Sequence, residues 1–94
     1  MVIRDTIWLE EIEEKIIRKH NVWPTEAEEA LRNRLQVRFM ERGHQRGEDV
    51  YAAFGQSEAG RYLVVYFILK QESIALILSA RDMTAKEKKS YGSS

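Results

Sequence analysis

The sequence predicts an α+β domain in which N-terminal helices are followed by an antiparallel meander of about four strands and a closing C-terminal helix. Three observations carry this. Leu9, Ile12 and Ile16 recur at the three-and-four spacing of a helix with one apolar face. From Leu35 onward the apolar residues instead alternate or run together, which is the pattern of strands. Near the end, "TAKE" sets Thr84 three residues before Glu87, the capping-box pattern that opens a helix.

The stretch from Val2 to Ile7 carries some strand character. In "WLEEIEEKIIRKHN" the glutamates Glu10, Glu11, Glu13 and Glu14 come early and Arg18, Lys19 and His20 fall in the last turn, an order that suits the helix macrodipole. Asn21 suits a left-handed stop, and Pro24 prevents the same helix from continuing. A second helix is expected at "TEAE", with Thr25 as its cap, Glu28 reaching back, and Ala27, Ala30 and Leu31 as its apolar face. Leu35, Val37 and Phe39 then alternate with Gln36, Arg38 and Met40, a strand with one face covered.

"ERGHQRGED" is a polar connection, and "VYAAFGQ", "RYLVVYFILKQ" and "SIALILSA" are three further strands, parted by "SEAG" and by a tight turn near Gln71 to Ser73. Connections this short favour antiparallel neighbours. Tyr62 to Leu69 and Ile74 to Ala80 are apolar at successive positions, so both are expected as adjacent central strands with cover on both faces. The last helix runs through Tyr91, and "GSS" is a frayed tail.

Ninety-four residues with 44% hydrophobic content suit one core, so residues 1–94 are expected to form a single domain. The absence of cysteine removes disulfides and thiolate metal sites and fits a reducing compartment. The longest apolar run, Tyr62 to Leu69, is far shorter than the roughly 20 residues that span a bilayer, so a cytoplasmic protein without a membrane is expected. Net charge is zero but unevenly spread: residues 1–33 hold 5 Lys/Arg against 8 Asp/Glu, and residues 34–94 hold 10 against 7. The second part can therefore present a positive face, although ordinary solvated surface explains the charges equally well.

"IIRKHNV", "GEDVYAAFGQSEAGRYLVVYF" and "LILSARDMTAKEKKSY", in this order and spacing, resemble the BrnT family of bacterial type II toxins over most of the chain, from about Ile7 to Tyr91. The resemblance implies a RelE-like fold, ribonuclease activity that halts translation, and a cognate antitoxin with a ribbon-helix-helix DNA-binding domain, the two held in a hetero-oligomer. Two departures stand out. Family members commonly open with a Trp-Asp pair where this chain has Trp8 and Leu9, and Asn21 replaces the usual glycine after Lys-His.

Metal-free RNA cleavage needs activation of the 2′-hydroxyl, charge stabilisation at phosphorus, and protonation of the leaving 5′-oxygen. The resemblance carries Arg61 and Arg81 over from the family's "GR" and "SAR" positions, and a guanidinium suits the second task because its fork holds two phosphate oxygens. Arg81 ends one strand and Arg61 starts its neighbour, so the two are expected to form one cationic site with the N-terminus of the "TAKE" helix. The alternatives are an exposed hairpin residue for Arg61 and a salt bridge from Arg81 to Asp82 or Glu87.

His20 has the titration range for acid–base work, although its register with Ile12 and Ile16 also suits a packed helix end. Lys19, Lys86, Lys88, Lys89 and Tyr91 are the candidate RNA-binding residues, with a solvated helix face as the alternative for the lysines. His44 is read as an exposed loop residue and Glu58 as a possible base or a turn residue.

Two histidines 24 positions apart without cysteine make a zinc site unexpected, and no phosphate-cradling glycine loop or nucleophile elbow is present, so neither metal nor cofactor is expected. Two functions remain: a metal-independent endoribonuclease toxin, and a non-catalytic toxin-like module that only binds an antitoxin.

Overall fold

In a computed structural model, which describes residues 1–33, 35–43, 45 and 47–93, the chain runs β1 (Asp5–Ile7), α1 (Glu10–His20), α2 (Pro24–Ala30), β2 (Gln36–Glu41), β3 (Val50–Gln56), β4 (Tyr62–Lys70), β5 (Ile74–Asp82) and α3 (Ala85–Gly92). The α+β class and the meander are as expected. The five strands form one sheet in the order β1-β5-β4-β3-β2. β4 and β5 lie side by side and neither is an edge; β4 is buried on both faces, by Leu63, Val65 and Phe67 on one and Val64 on the other, whereas β5 buries only its helix side and leaves Leu76 and Leu78 half-buried. The fifth strand was visible only as weak strand character: β1 joins β5 in parallel, Asp5 opposite Ile74 and Ile7 opposite Leu76, a pairing of distant segments that no local period announces.

The end of α1 follows from a single residue, whereas its start lacks a side-chain cap. Asn21 stops the helix in the left-handed conformation, φ 53°, and the backbone N–H groups after the last turn return to Ile16 and Ile17. Leu9 occupies the N-cap position with extended backbone and offers no side-chain acceptor. This is where the departure from Trp-Asp matters. Leu9→Asp is expected to raise stability by about 1 kcal/mol, because an aspartate there accepts from the free N–H groups of the first turn; thermal unfolding of the variant measures it.

The start of α2 differs from the expectation. Trp23, not Thr25, is the N-cap; Pro24 takes the first helical position, and the Glu26 carboxylate accepts the Trp23 backbone N–H at 3.1 Å. Glu28 is drawn away instead, accepting the Thr6 hydroxyl at 2.7 Å and the Trp8 indole N–H at 3.1 Å. It thereby ties β1 to α2. At the far end of α2 the helix presses directly on β3: a Cβ on Gly55 would collide with the Ala30 carbonyl oxygen.

The sheet has two unlike faces. Ile16, Val22, Ala27, Ala30 and Leu31 of the α1–α2 layer pack on Ala53, Leu63, Val65, Phe67, Ala75, Ile77 and Ala80. The opposite face holds a smaller cluster of Ala52, Val64, Met83 and Tyr91, with Phe54, Tyr62 and Tyr66 against it. In β5 the buried helix-side residues are Ala75, Ile77 and then Ala80, so the alternation changes phase. The cause is a bulge: Phe67 pairs with Ile77 but Tyr66 with Ser79, leaving Leu78 as an extra residue. Beyond it, Asp82 opposite Leu63 points to the helices, and Arg81 opposite Val64 points to the other face.

Candidate functional site

The bulge decides how the candidate arginines are used. Arg61 and Arg81 are near one another along the sheet, as the antiparallel pairing requires, but they stand on opposite faces and do not converge on one anion. The expected single arginine site is therefore corrected: strand adjacency was read rightly, and the face was set by Leu78, whose extra residue no alternation pattern predicts.

On the helix face, a turn positions Arg61. Gly60, at φ 90°, lets its N–H return to the Ser57 carbonyl, and the buried Ser57 hydroxyl accepts the Arg61 backbone N–H at 3.0 Å. The guanidinium then uses all five of its N–H donors. Nε and Nη2 hold the two Asp82 oxygens at 2.8 and 3.0 Å, Nη1 holds Glu26 at 3.0 Å and the Asn21 carbonyl at 2.7 Å, and Nη2 also reaches the His20 carbonyl at 3.2 Å. Arg61 is thus neither an exposed hairpin residue nor a free phosphate fork; it fastens the end of α1 and the start of α2 to two strands. The Asp82 carboxyl is held below the usual range, chiefly by the Arg61 hydrogen bond, with the charges of Lys88 and His20 adding to the effect.

His20 is half-buried beside this clamp, and its imidazole makes no hydrogen bond among the described residues. Lys19 is exposed next to it. Trp23, 55% exposed at the head of α2, shares the Glu26 carboxylate with Arg61 through its backbone N–H. Glu58 lies exposed in the turn, where its backbone N–H bonds Glu29.

On the other face, Arg81 makes the alternative ion pair foreseen with Glu87. Nη1 and Nη2 meet the two carboxylate oxygens at 2.7 and 3.0 Å, Nη1 also holds the Asp82 carbonyl, and Nη2 holds the Tyr66 hydroxyl at 2.8 Å. Nε–H remains. Glu87 in turn accepts the Thr84 backbone N–H at 2.8 Å, while the Thr84 hydroxyl accepts from Glu87, completing the capping box that "TAKE" predicted. The anion between Arg81 and the start of α3 is therefore the chain's own carboxylate.

Lys86, Lys88 and Lys89 are exposed on α3, with Lys88 5.8 Å from the centre of the Tyr62 ring. None of the three has an ion pair among the described residues. Tyr91 is 2% exposed, edge-to-face with Tyr62 at 6.0 Å, so it is a core residue of this face and not an open groove wall. Sequence reasoning missed Arg38, exposed on β2 with its guanidinium 5.5 Å over the Phe54 ring. Its alternation with Val37 and Phe39 was the available signal. His44 lies outside the described residues. Among those described, no group of three or more histidine, aspartate or glutamate side chains is placed to hold a metal.

Arg81 draws the Glu87 carboxyl from its ordinary 4.5 down to about 2, foremost by its hydrogen bonds, with help from Thr84 and against the opposing effect of burial. A carboxyl depressed in the folded state contributes stability that is complete above its unfolded value and is lost as pH falls through the folded one. Glu87→Gln should therefore lower the thermal midpoint at neutral pH, and the gap from the parent should close as pH falls from 4.5 toward 2. Parallel melting curves across that range check it.

The sequence matches the family model of BrnT, the ribonuclease toxin of type II toxin-antitoxin systems, over residues 8–87. No curated protein matches it. Among solved structures, the fold is similar to that of the Brucella abortus ribonuclease toxin BrnT, with a TM-score of 0.61 at 18% identity, covering 85% of this chain and 96% of that one.

Proposed function

Since the chain belongs to the BrnT family of ribonuclease toxins of type II toxin-antitoxin systems, we propose that it is an endoribonuclease that cuts RNA without a metal ion and thereby stops translation. A base takes the proton of a ribose 2′-hydroxyl, the freed oxygen bonds to the adjacent phosphorus, and the 5′-oxygen departs with a proton, leaving a 2′,3′-cyclic phosphate. The observation that carries this reading is the family match across residues 8–87.

Within it, His20 moves the proton, and Arg81 stabilises charge at phosphorus through its remaining Nε–H while Glu87 and Tyr66 hold it rigid. Lys19, Lys86, Lys88 and Lys89 hold phosphates along the strand. Arg61 positions the His20 main chain and does not touch RNA. The charges of His20 and Lys88 both lower the Asp82 carboxyl, which supports a site at this end of the sheet. An RNA strand draped over that end reaches both.

The partner is a cognate antitoxin with a ribbon-helix-helix domain, joined in a cytoplasmic hetero-oligomer. Phe39 and Met40, exposed on edge strand β2, supply apolar anchors for it.

One observation favours the second reading, a non-catalytic module: every Arg61 donor is satisfied internally and the charge of Arg81 is matched by Glu87. Incubating the purified protein with RNA in excess chelator separates the two, since only the endoribonuclease leaves fragments ending in cyclic phosphate. Arg81→Lys should lower that cleavage about 10-fold, on the order of 1.4 kcal/mol of transition-state stabilisation. It should also lower the melting temperature by a few degrees, because a lysine cannot reproduce the paired bonds to Glu87. Unchanged cleavage would remove Arg81 from the site.

A further inference from the structure

Between β2, β3 and α3 lies a pocket of about 140 Å³, bordered by Arg38, Phe54, Lys86, Glu87 and Tyr91. We propose that it holds one unpaired nucleobase of the RNA, stacked against the Arg38–Phe54 pair and read by the Glu87 carboxylate. This rests on the ribonuclease reading and adds to it a site for substrate selection.

The lining is what a base requires. Its space suits a single planar heterocycle and not a duplex. One wall is the aromatic ring of Phe54, and the Arg38 guanidinium lies 5.5 Å over it. Unpaired bases stack on aromatic faces and on arginine planes, and such stacks supply much of single-strand affinity. Lys86 stands at the rim, without an ion pair among the described residues, so a phosphate beside an inserted base meets its charge. An apolar side chain from a protein would have no use for this charge.

Glu87 sets the choice of base. A carboxylate only accepts hydrogen bonds. Oε1 takes Arg81 and the Thr84 N–H, while Oε2 takes Arg81 alone, which leaves Oε2 able to accept once more. It therefore matches the exocyclic amine of cytosine, adenine or guanine better than uracil, whose one edge donor, N3–H, is flanked by two carbonyls that a carboxylate repels. The same carboxylate grips Arg81, so the base pocket and the phosphate-stabilising arginine share one wall.

Uncleavable 2′-O-methyl hexamers of cytosine, adenine or uracil, and an abasic hexamer of equal charge, test this by fluorescence anisotropy. The cytosine and adenine hexamers should bind about 10-fold more tightly than the abasic one, the size of one base stack, with uracil between. Arg38→Lys keeps the charge and loses the planar stack; it should retain the salt dependence and reduce the preference over the abasic hexamer to about threefold or less. Equal binding of all hexamers by the parent protein, no binding of any, or an undiminished preference in Arg38→Lys would overturn the pocket. Cleavage in chelator is measured alongside. Cleavage with base-blind binding overturns the pocket alone, whereas base-dependent binding without cleavage supports the pocket and overturns the ribonuclease reading.

Discussion

Arg61→Ala is expected to lower stability by about 2 kcal/mol and the melting temperature by about 10 °C, the scale for a domain of this size. The change removes five hydrogen bonds that run to four separate segments: the ends of α1 and β5, the Asn21 stop and the first turn of α2. It also leaves Glu26, with a side chain only 24% exposed, without its cation. The Asp82 part of the clamp is worth less, since that carboxylate is 56% exposed. Arg61→Lys should recover under half of the loss, because an ammonium cannot span Asp82 and two carbonyls together. Calorimetry of both variants decides the point. An unchanged midpoint accompanied by lost cleavage would show that Arg61 serves RNA and not the fold.

His20→Gln is expected to reduce cleavage about 100-fold while the melting temperature moves little. Its backbone carbonyl is held by Arg61, which fixes where the residue stands, yet its imidazole bonds nothing among the described residues and is half-exposed. A packed structural histidine of a helix end would have spent a ring nitrogen on a carbonyl. Glutamine keeps the size and polarity but its amide cannot carry a proton, so the loss should fall on the chemical step. Single-turnover rates provide the readout: the variant should be slow at saturating protein. Cleavage at the parent rate would assign the proton transfer to another group.

Much of the fold was written in local residue choices. The left-handed stop at Asn21, the "TAKE" cap and the paired apolar runs of β4 and β5 each depend on neighbours a few positions away, and each was legible. What escaped depends on distant partners. Thr25 and Glu28 have the form of a capping box, but Glu28 bonds Thr6 and Trp8, and the cap passes to Trp23 and Glu26. The site was half legible for the same reason. Residue types and strand ends marked Arg61 and Arg81, whereas their separation onto two faces comes from one extra residue at Leu78. Tyr91 looked available on a lysine-rich helix and is buried because α3 turns it under Tyr62.

The parallel pairing of β1 with β5 also sets an order of assembly. β3, β4 and β5 are successive along the chain, so their ladders close short loops and form early, whereas Thr6 must find Ala75 across most of the sequence. β1 is three residues long and lies at the sheet's edge. It is therefore the last strand to zip and the first to release, and amide hydrogens bridging β1 and β5 should exchange with solvent through local opening long before those between β4 and β5. A nascent chain of this kind holds its first strand unpaired until residues 74–76 have been made. The sheet reaches its full width only once β5 is present to receive β1.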